Sequence, residues 1–182
     1  AQEQGKKINR EDFDKKMKKH QELSRTASAG MFKGGLADHN EKTVKLHTAH
    51  HLLLAGLQAV VDKNIKQKGS NITEERLRMD FLCDHKLTEE EKKKVEDFVN
   101  EKIKENLDVV HREMSLTEAK KIGAEMEFGT KYPNIVSVYF IGGKRSDLKG
   151  AQGLTLKSRE YFVSVEFCGG PHVKNTGELG QF

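Results

Sequence analysis

The chain contains 182 residues, of which 35% are hydrophobic and 33% are charged, and it carries a net charge of +4. This length predicts one domain with room for an appendage, and the lack of an apolar run of about 18 residues argues against a membrane-spanning segment. Two cysteines without an apolar signal segment are typical of a reducing cytoplasm, and the mild positive charge permits a polyanionic partner without requiring one.

The N-terminal residues divide into two predicted segments. Residues 1–8 are polar and carry no periodicity, so we expect a flexible terminus. Residues 9–30 are lysine-rich and helical in composition, with Asn9 as a cap and a thin apolar stripe of Phe13 and Met17. A helix this polar buries little surface, so we expect it to lean on a further element or to face a ligand.

Residues 31–182 are assigned to one folded domain, which opens with a glycine-rich break. The most regular helix of the chain follows, capped by Asp38 or Asn40 and ending near Val61. Its apolar residues recur at helical spacing, at Leu46, Leu53, Leu54, Leu57, Val60 and Val61. Next, residues 65–82 alternate loosely around a glycine and predict a strand or a hairpin.

The second half of the domain mixes short strands and helices. Thr88 followed by Glu91 predicts a capping box that opens a helix to about Asn106. Further along we predict a strand at residues 108–113 and a short helix at 117–122. Buried strands at 135–141 and 161–167 follow, with a long exposed loop between them at 142–158. Because the helices are segregated from hairpin-like strand pairs, the sequence predicts an α+β fold, with helices packed on an antiparallel sheet.

Two short motifs carry metal-ligand residues. His47 and His51 are four residues apart on the predicted long helix, so both imidazoles lie on one face, one turn apart. Cys168 and His172 form a C-x-x-x-H motif directly after the last predicted strand. A histidine pair at this spacing is by itself more often an ordinary surface or core pair. Together the two motifs offer the nitrogen and sulfur ligands that zinc prefers, and they predict a zinc site.

His50 leaves the ligand assignment open. It lies three residues after His47, so either His50 or His51 could bind a metal, and the other could be a hydrogen-bond partner, an acid/base group or a residue without a role. Thr48 occupies the position where a zincin-type protease needs glutamate, which argues against that class. The remaining histidines outside the two motifs are expected to be solvated; they are His20, His39, His85 and His111. Cys83 is expected to be a small residue of the core.

Four segments of the chain, read in order, resemble the editing domain of alanyl-tRNA synthetases. They are SRTASAGMFKGGLAD, KLHTAHHLLLAGLQAV, QKGSNITEERLRMDF and EFCGGPHVKNTGELGQF. The resemblance runs from Ser24 to the end, and its specificity comes from the combination of both metal motifs with QKGS and NTGE. The same domain occurs in free-standing alanyl-tRNA editing proteins and, more distantly, in threonyl-tRNA synthetases.

This resemblance implies a fold and an activity. The expected fold is that of the second additional domain of threonyl- and alanyl-tRNA synthetases. The expected activity is a zinc-dependent hydrolase that removes serine, and glycine as a second substrate, from tRNA(Ala). The family's zinc ligands fall on His47, His51, Cys168 and His172, which favours His51 over its neighbour.

The resemblance also assigns the substrate pocket. The family's pocket glutamine falls on Gln67, and the backbone amides of Gly169 and Gly170 are further candidates for binding the serine hydroxyl. The chain departs from the family at two positions, because His50 and Pro171 stand where the family usually has threonine. His50 becomes the candidate catalytic acid/base group, since an unperturbed imidazole titrates near neutral pH.

The expected partner is the acceptor end of tRNA(Ala), with no membrane involved. We expect a fragment of an alanine-tRNA ligase rather than a stand-alone protein, either attached to a synthetase domain or assembled as a homo-oligomer. ATP would serve only an aminoacylation domain, which these residues do not include. In the loop at 142–158, Lys144, Arg145 and Lys149 either face tRNA or belong to a passive insertion, which we favour.

Two other functions remain open at this point. One is a non-catalytic module that binds the tRNA acceptor end and uses zinc only to hold its fold. The other is an unrelated zinc hydrolase of a small substrate, against which stands the lack of a Glu or Asp base beside the histidine pair.

Overall fold

The computed structural model describes residues 10, 12–18, 40–127, 130–143 and 160–182. Residues 10 and 12–18 are helical, within the predicted lysine-rich helix, and both of its apolar residues are exposed. The predicted terminus at 1–8, the remainder of 9–30 and residues 144–159 lie outside the described part, and so do His20, His39, Lys144, Arg145 and Lys149.

Helices and strands follow one another in nearly the predicted order. They are α1 (Glu41–Val60), β1 (Gln67–Ile72), β2 (Leu77–Phe81), α2 (Glu89–Lys104), β3 (Val109–Ser115), α3 (Leu116–Lys121), β4 (Ile135–Gly142), β5 (Phe162–Phe167) and a short 3-10 helix (Thr176–Leu179). No helix among these residues has the length and apolar character that crossing a membrane requires.

Side-chain caps begin the helices. Asn40 caps α1 by accepting a hydrogen bond from the backbone N–H of Thr43, which decides between the two predicted caps. Thr88 and Glu91 form the predicted capping box of α2, in which each side chain bonds to the other residue's backbone N–H.

The strands form two antiparallel sheets. β1 and β2 pair as a hairpin, which confirms the prediction for residues 65–82. β3, β4 and β5 form a second sheet in that order, with Val109 opposite Ile141 and Tyr139 opposite Glu166. The predicted α+β fold with an antiparallel sheet is therefore confirmed.

The two faces of the larger sheet bury different clusters, because successive side chains of a strand point to opposite sides. On one side, Val138 and Phe140 pack with Ala119 of α3. On the other side, Ile141 packs with Leu52 of α1 and with Val99 and Ile103 of α2. The middle of α1 is thus fixed against the sheet, and this contact positions the residues described next.

Candidate metal centre

The first half of α1 and the turn after β5 meet inside the protein. Cys168 Sγ lies 3.3 Å from His47 Nε2 and 3.2 Å from His172 Nε2. One ligand atom from each of His47, His51, Cys168 and His172 lies within 4.8 Å of every other. We call these four residues the donor cluster. Two segments separated by more than a hundred positions in sequence therefore converge as predicted, and the cluster contains His51 and not His50.

Two of the imidazoles are oriented by hydrogen bonds on the side opposite the sulfur. His47 Nδ1 donates to the backbone carbonyl of Pro171 at 3.1 Å, because a carbonyl oxygen can only accept. His172 Nδ1 lies 3.1 Å from Thr48 Oγ1, which donates to the backbone carbonyl of Val44 and can therefore accept from the imidazole. Both rings are left with the Nε2 lone pair directed at Cys168, as in histidines that bind metals.

The third imidazole faces a buried carboxylate. His51 Nδ1 lies 2.7 Å from Glu166 Oε2, and both side chains are almost completely buried. The contact is close but poorly aligned for a hydrogen bond, so charge attraction is its main component. Ser164 Oγ donates to the other carboxylate oxygen at 2.6 Å and fixes the orientation of Glu166.

The surroundings of Cys168 stabilise a thiolate. Burial alone would raise the pKa of the Cys168 thiol, but the imidazoles of His172, His47 and His51 that surround the sulfur outweigh it and lower this pKa to about 2. Burial also opposes a charge on His51, yet Glu166 raises the pKa of His51 to about 10. One thiolate with three imidazoles is a ligand set that suits zinc, since zinc binds Cys sulfur and His nitrogen in tetrahedral sites.

Comparison with known proteins finds a family that part of the chain resembles. Residues 136–182, from β4 to the end, match the threonyl and alanyl tRNA synthetase second additional domain. The match includes Cys168 and His172, and the resemblance inferred from the sequence is confirmed.

Relatives of the whole chain are alanine–tRNA ligases. Over all 182 residues it is 51% identical to the enzyme of Treponema denticola, 48% identical to that of Borreliella afzelii and 43% identical to that of Treponema pallidum. In each case the chain spans 27% of the length of the relative.

His50 lies beside the donor cluster. Its side chain is 3% exposed, its ring lies edge-on to that of His51, and neither of its ring nitrogens has a hydrogen-bond partner within the part of the chain that the structure describes. Burial, followed by the neighbouring charge of His51, lowers the pKa of His50 to about 4. The imidazole is therefore neutral and a weak base near pH 7, which favours hydrogen bonding over proton transfer.

The three predicted substrate residues have different surroundings. Gln67 begins β1, is partly exposed and donates to Ser70 Oγ at 3.4 Å. Gly170 has a φ of +63°, and a side chain there would overlap the hydroxyl of Tyr139, so only glycine fits. Its N–H donates to Cys168 Sγ at 3.4 Å, so this amide serves the thiolate, whereas Gly169 is exposed and its role in substrate binding stays a prediction.

A second group of possible ligands lies in the segment between β2 and α2. Ligand atoms of Cys83, Asp84 and His85 also lie within 4.8 Å of one another, and we call these residues the loop cluster. Cys83 is partly exposed, so the prediction of a core residue there is wrong. The predicted exposure of His85 and His111 is confirmed.

The sequence did not reveal the residues that orient the imidazoles. In the sequence, Thr48 argues only against a zincin protease, and Glu166 belongs to no metal-binding motif. A signal for Glu166 existed, because a residue two positions before Cys168 lies on the same side of an extended strand.

Proposed function

We propose that this chain hydrolyses the ester that joins a wrong amino acid to tRNA(Ala), as part of an alanyl-tRNA synthetase or a close relative. Serine is the proposed main substrate and glycine the second. The observation that carries the proposal is the buried donor cluster beside His50, a buried side chain with hydrogen-bonding capacity to spare. The relatives named alanine–tRNA ligase support tRNA(Ala) as the partner.

The donor cluster would hold a zinc ion through Cys168 Sγ and the three imidazoles. When bound, zinc would supply positive charge that attracts and orients the aminoacyl group. Because four protein ligands complete a tetrahedron, we assign the recognition of the substrate to neighbouring residues. His50, Gln67 and the exposed amide of Gly169 are the candidates.

We assign His50 to the recognition of serine. A neutral imidazole offers one donor and one acceptor, and a serine hydroxyl can pair with either. Alanine and glycine lack the hydroxyl and would leave the buried imidazole unpaired, so both should be removed far more slowly than serine. Sites of this kind reject the analogue by roughly four to five orders of magnitude. Since the low pKa of His50 makes it a weak base, we assign activation of the water to the terminal ribose hydroxyl of the tRNA.

Partners and location follow from the same proposal. The acceptor end of tRNA(Ala) would reach the donor cluster, and lysine and arginine side chains would bind its phosphates, with an affinity that falls as salt rises. We further propose a cytoplasmic protein in which this domain is physically attached to a synthetase.

The direct test is deacylation of charged tRNA. We expect the chain to release serine from seryl-tRNA(Ala), to release glycine more slowly and to leave alanyl-tRNA(Ala) intact, with all release suppressed by a zinc chelator. Two variants of equal shape test position 50: His50→Thr supplies a hydroxyl that can form hydrogen bonds and should retain serine release, whereas His50→Val should lose it while still binding zinc. Equal rates for both variants would exclude a hydrogen-bonding role of this residue.

A second function is favoured by one observation. The donor cluster is a closed set of four possible protein ligands, three of them buried, and four protein ligands are the arrangement of structural zinc sites. The alternative is therefore a non-catalytic module that binds the tRNA acceptor end. Such a module would bind seryl-tRNA(Ala) and leave its ester intact in the same assay.

A further inference from the structure

Glu166 is a buried carboxylate without a role in the proposed function. It lies in β5, is 6% exposed and comes two residues before Cys168. Placing a charge away from water is costly unless an opposite charge and hydrogen bonds compensate it. Here the partners are His51 Nδ1 at 2.7 Å and Ser164 Oγ at 2.6 Å, so the carboxylate is directed at one member of the donor cluster.

The contact with Glu166 selects the coordinating atom of His51. A carboxylate beside Nδ1 favours the proton on that nitrogen and leaves the Nε2 lone pair for a metal. The same arrangement exists at the other two imidazoles, where Pro171 O and Thr48 Oγ1 occupy the Nδ1 side. Glu166 differs from those two partners because it alone brings a full negative charge.

The negative charge of Glu166 can balance the charge of a bound metal ion. A divalent cation bound by the cluster would meet one negative ligand, the Cys168 thiolate, and three imidazoles that are neutral when coordinated. The Glu166 carboxylate supplies the second negative charge, and the buried assembly becomes electrically neutral. Neutrality matters here because water is excluded, so the interactions between charges are screened little and a net charge would be costly.

We propose that Glu166 is a positioning residue of the metal centre, which orients His51 through Nδ1 and balances, together with Cys168, the charge of a bound divalent cation. This inference rests on the metal centre of the proposed function and adds a residue outside its ligand set. It does not depend on the identity of the substrate.

The chain offers a matched control in Glu125. Its backbone is bridged to that of Glu166, so the two carboxylates start from neighbouring positions. The Glu125 side chain instead contacts Lys66 Nζ at 2.6 Å and Gln58 Nε2 at 3.4 Å, away from the donor cluster. Glu166→Gln and Glu125→Gln therefore remove equal charge from adjacent places with different partners.

The test measures zinc affinity by competition with a chromogenic chelator. Glu166→Gln should bind zinc about 10- to 100-fold more weakly than the unchanged chain, as is usual when the partner of a coordinating histidine is lost. Glu125→Gln should bind like the unchanged chain. Cobalt(II) absorption from thiolate to metal should persist in both, which would show that Cys168 still binds the metal.

The rival explanation is a purely structural ion pair between Glu166 and His51. In that case Glu166→Gln would lower the thermal stability of the metal-free protein and leave zinc affinity unchanged, and this result would overturn the proposal. If Glu166→Gln does not fold, Ser164→Ala, which frees the carboxylate without removing it, should weaken zinc binding several-fold. Unchanged affinity in Ser164→Ala would then overturn it.

The outcomes separate this inference from the proposed function. Weaker zinc binding by Glu166→Gln, found together with no hydrolysis of seryl-tRNA(Ala) by the unchanged zinc-loaded chain, would support the role of Glu166 and reject the deacylase activity. Failure of the unchanged chain to bind zinc at all would reject both.

Discussion

Two groups of cysteine and histidine residues in this chain look alike by residue type and differ in everything around them. The donor cluster joins residues from α1 and from the turn after β5, and three of its four members are buried. The loop cluster consists of three consecutive residues near the surface, with the side chains of Asp84 and His85 94% and 45% exposed.

The hydrogen bonds of the histidines separate the two groups more sharply than exposure does. In the loop cluster, His85 Nδ1 contacts Asp84 and Nε2 lies 3.0 Å from Glu91, so carboxylates occupy both nitrogens. In the donor cluster, His47 and His172 each have an oxygen partner at Nδ1, and both direct Nε2 at the Cys168 sulfur. Proximity of suitable residues therefore does not suffice, because a metal site also needs lone pairs that are kept free and aimed at one point.

The largest expected effect comes from replacing the cysteine in each group. Cys168→Ala should abolish stoichiometric zinc binding and seryl-tRNA(Ala) hydrolysis together, because it removes the negative ligand of the donor cluster. Cys83→Ala should change neither, since its sulfur lies 3.7 Å from an imidazole already engaged by carboxylates. Zinc content by elemental analysis and release of free serine are the two measurements.

The same two variants can also show that the contrast between the donor cluster and the loop cluster is wrong. If Cys83→Ala lost one equivalent of zinc, the loop cluster would be a second metal site and its exposure would be no obstacle. If Cys168→Ala still hydrolysed seryl-tRNA(Ala) without bound metal, the reaction would not depend on the donor cluster.

Sequence patterns predicted those features of the site that depend on spacing along the chain. The i, i+4 spacing of His47 and His51 on a capped helix, and the turn that follows a buried strand, were enough to predict that four possible metal ligands lie close together. The partners of the imidazoles depend on tertiary contacts across the α1–β5 junction, and Thr48 and Pro171 carry no signal of them in the sequence. The unpartnered burial of His50 is likewise a property of packing, and it changes the expected pKa of that residue.

A smaller effect concerns pH and two histidines, His50 beside the donor cluster and His85 within the loop cluster. Folding lowers the pKa of His50 from 6.5 to about 4, so between these values the folded protein binds fewer protons than the unfolded chain. The free energy of unfolding is therefore not reduced by His50 above the pKa of this residue in the unfolded chain. It falls as pH decreases below that value, by up to about 3 kcal/mol. For His85 the pKa is raised by Asp84 and Glu91, which gives the opposite sign, with stability lost as pH rises.

Urea unfolding of the metal-free protein, at neutral pH and at about pH 4.5, checks this contrast. The loss of stability on acidification should be smaller in His50→Thr than in the unchanged chain, because the variant lacks the buried imidazole. His85→Ala should lose as much stability as the unchanged chain or slightly more. Equal acid sensitivity of His50→Thr and the unchanged chain would show that His50 is protonated in the folded state or solvated.

The smallest expected effect tests whether the loop cluster has a structural role at the start of α2. Glu91 accepts hydrogen bonds from the backbone N–H and the hydroxyl of Thr88, so the carboxylate that holds His85 also completes the cap of α2. Thr88→Ala should therefore cost about 1 kcal/mol of unfolding free energy, as losses of N-terminal caps do, and leave zinc affinity unchanged. Urea unfolding and chelator competition measure the two quantities. A loss of zinc binding in this variant would mean that the cap supports a metal site. A change in stability alone would mean that the loop cluster belongs to the N-terminal cap of α2.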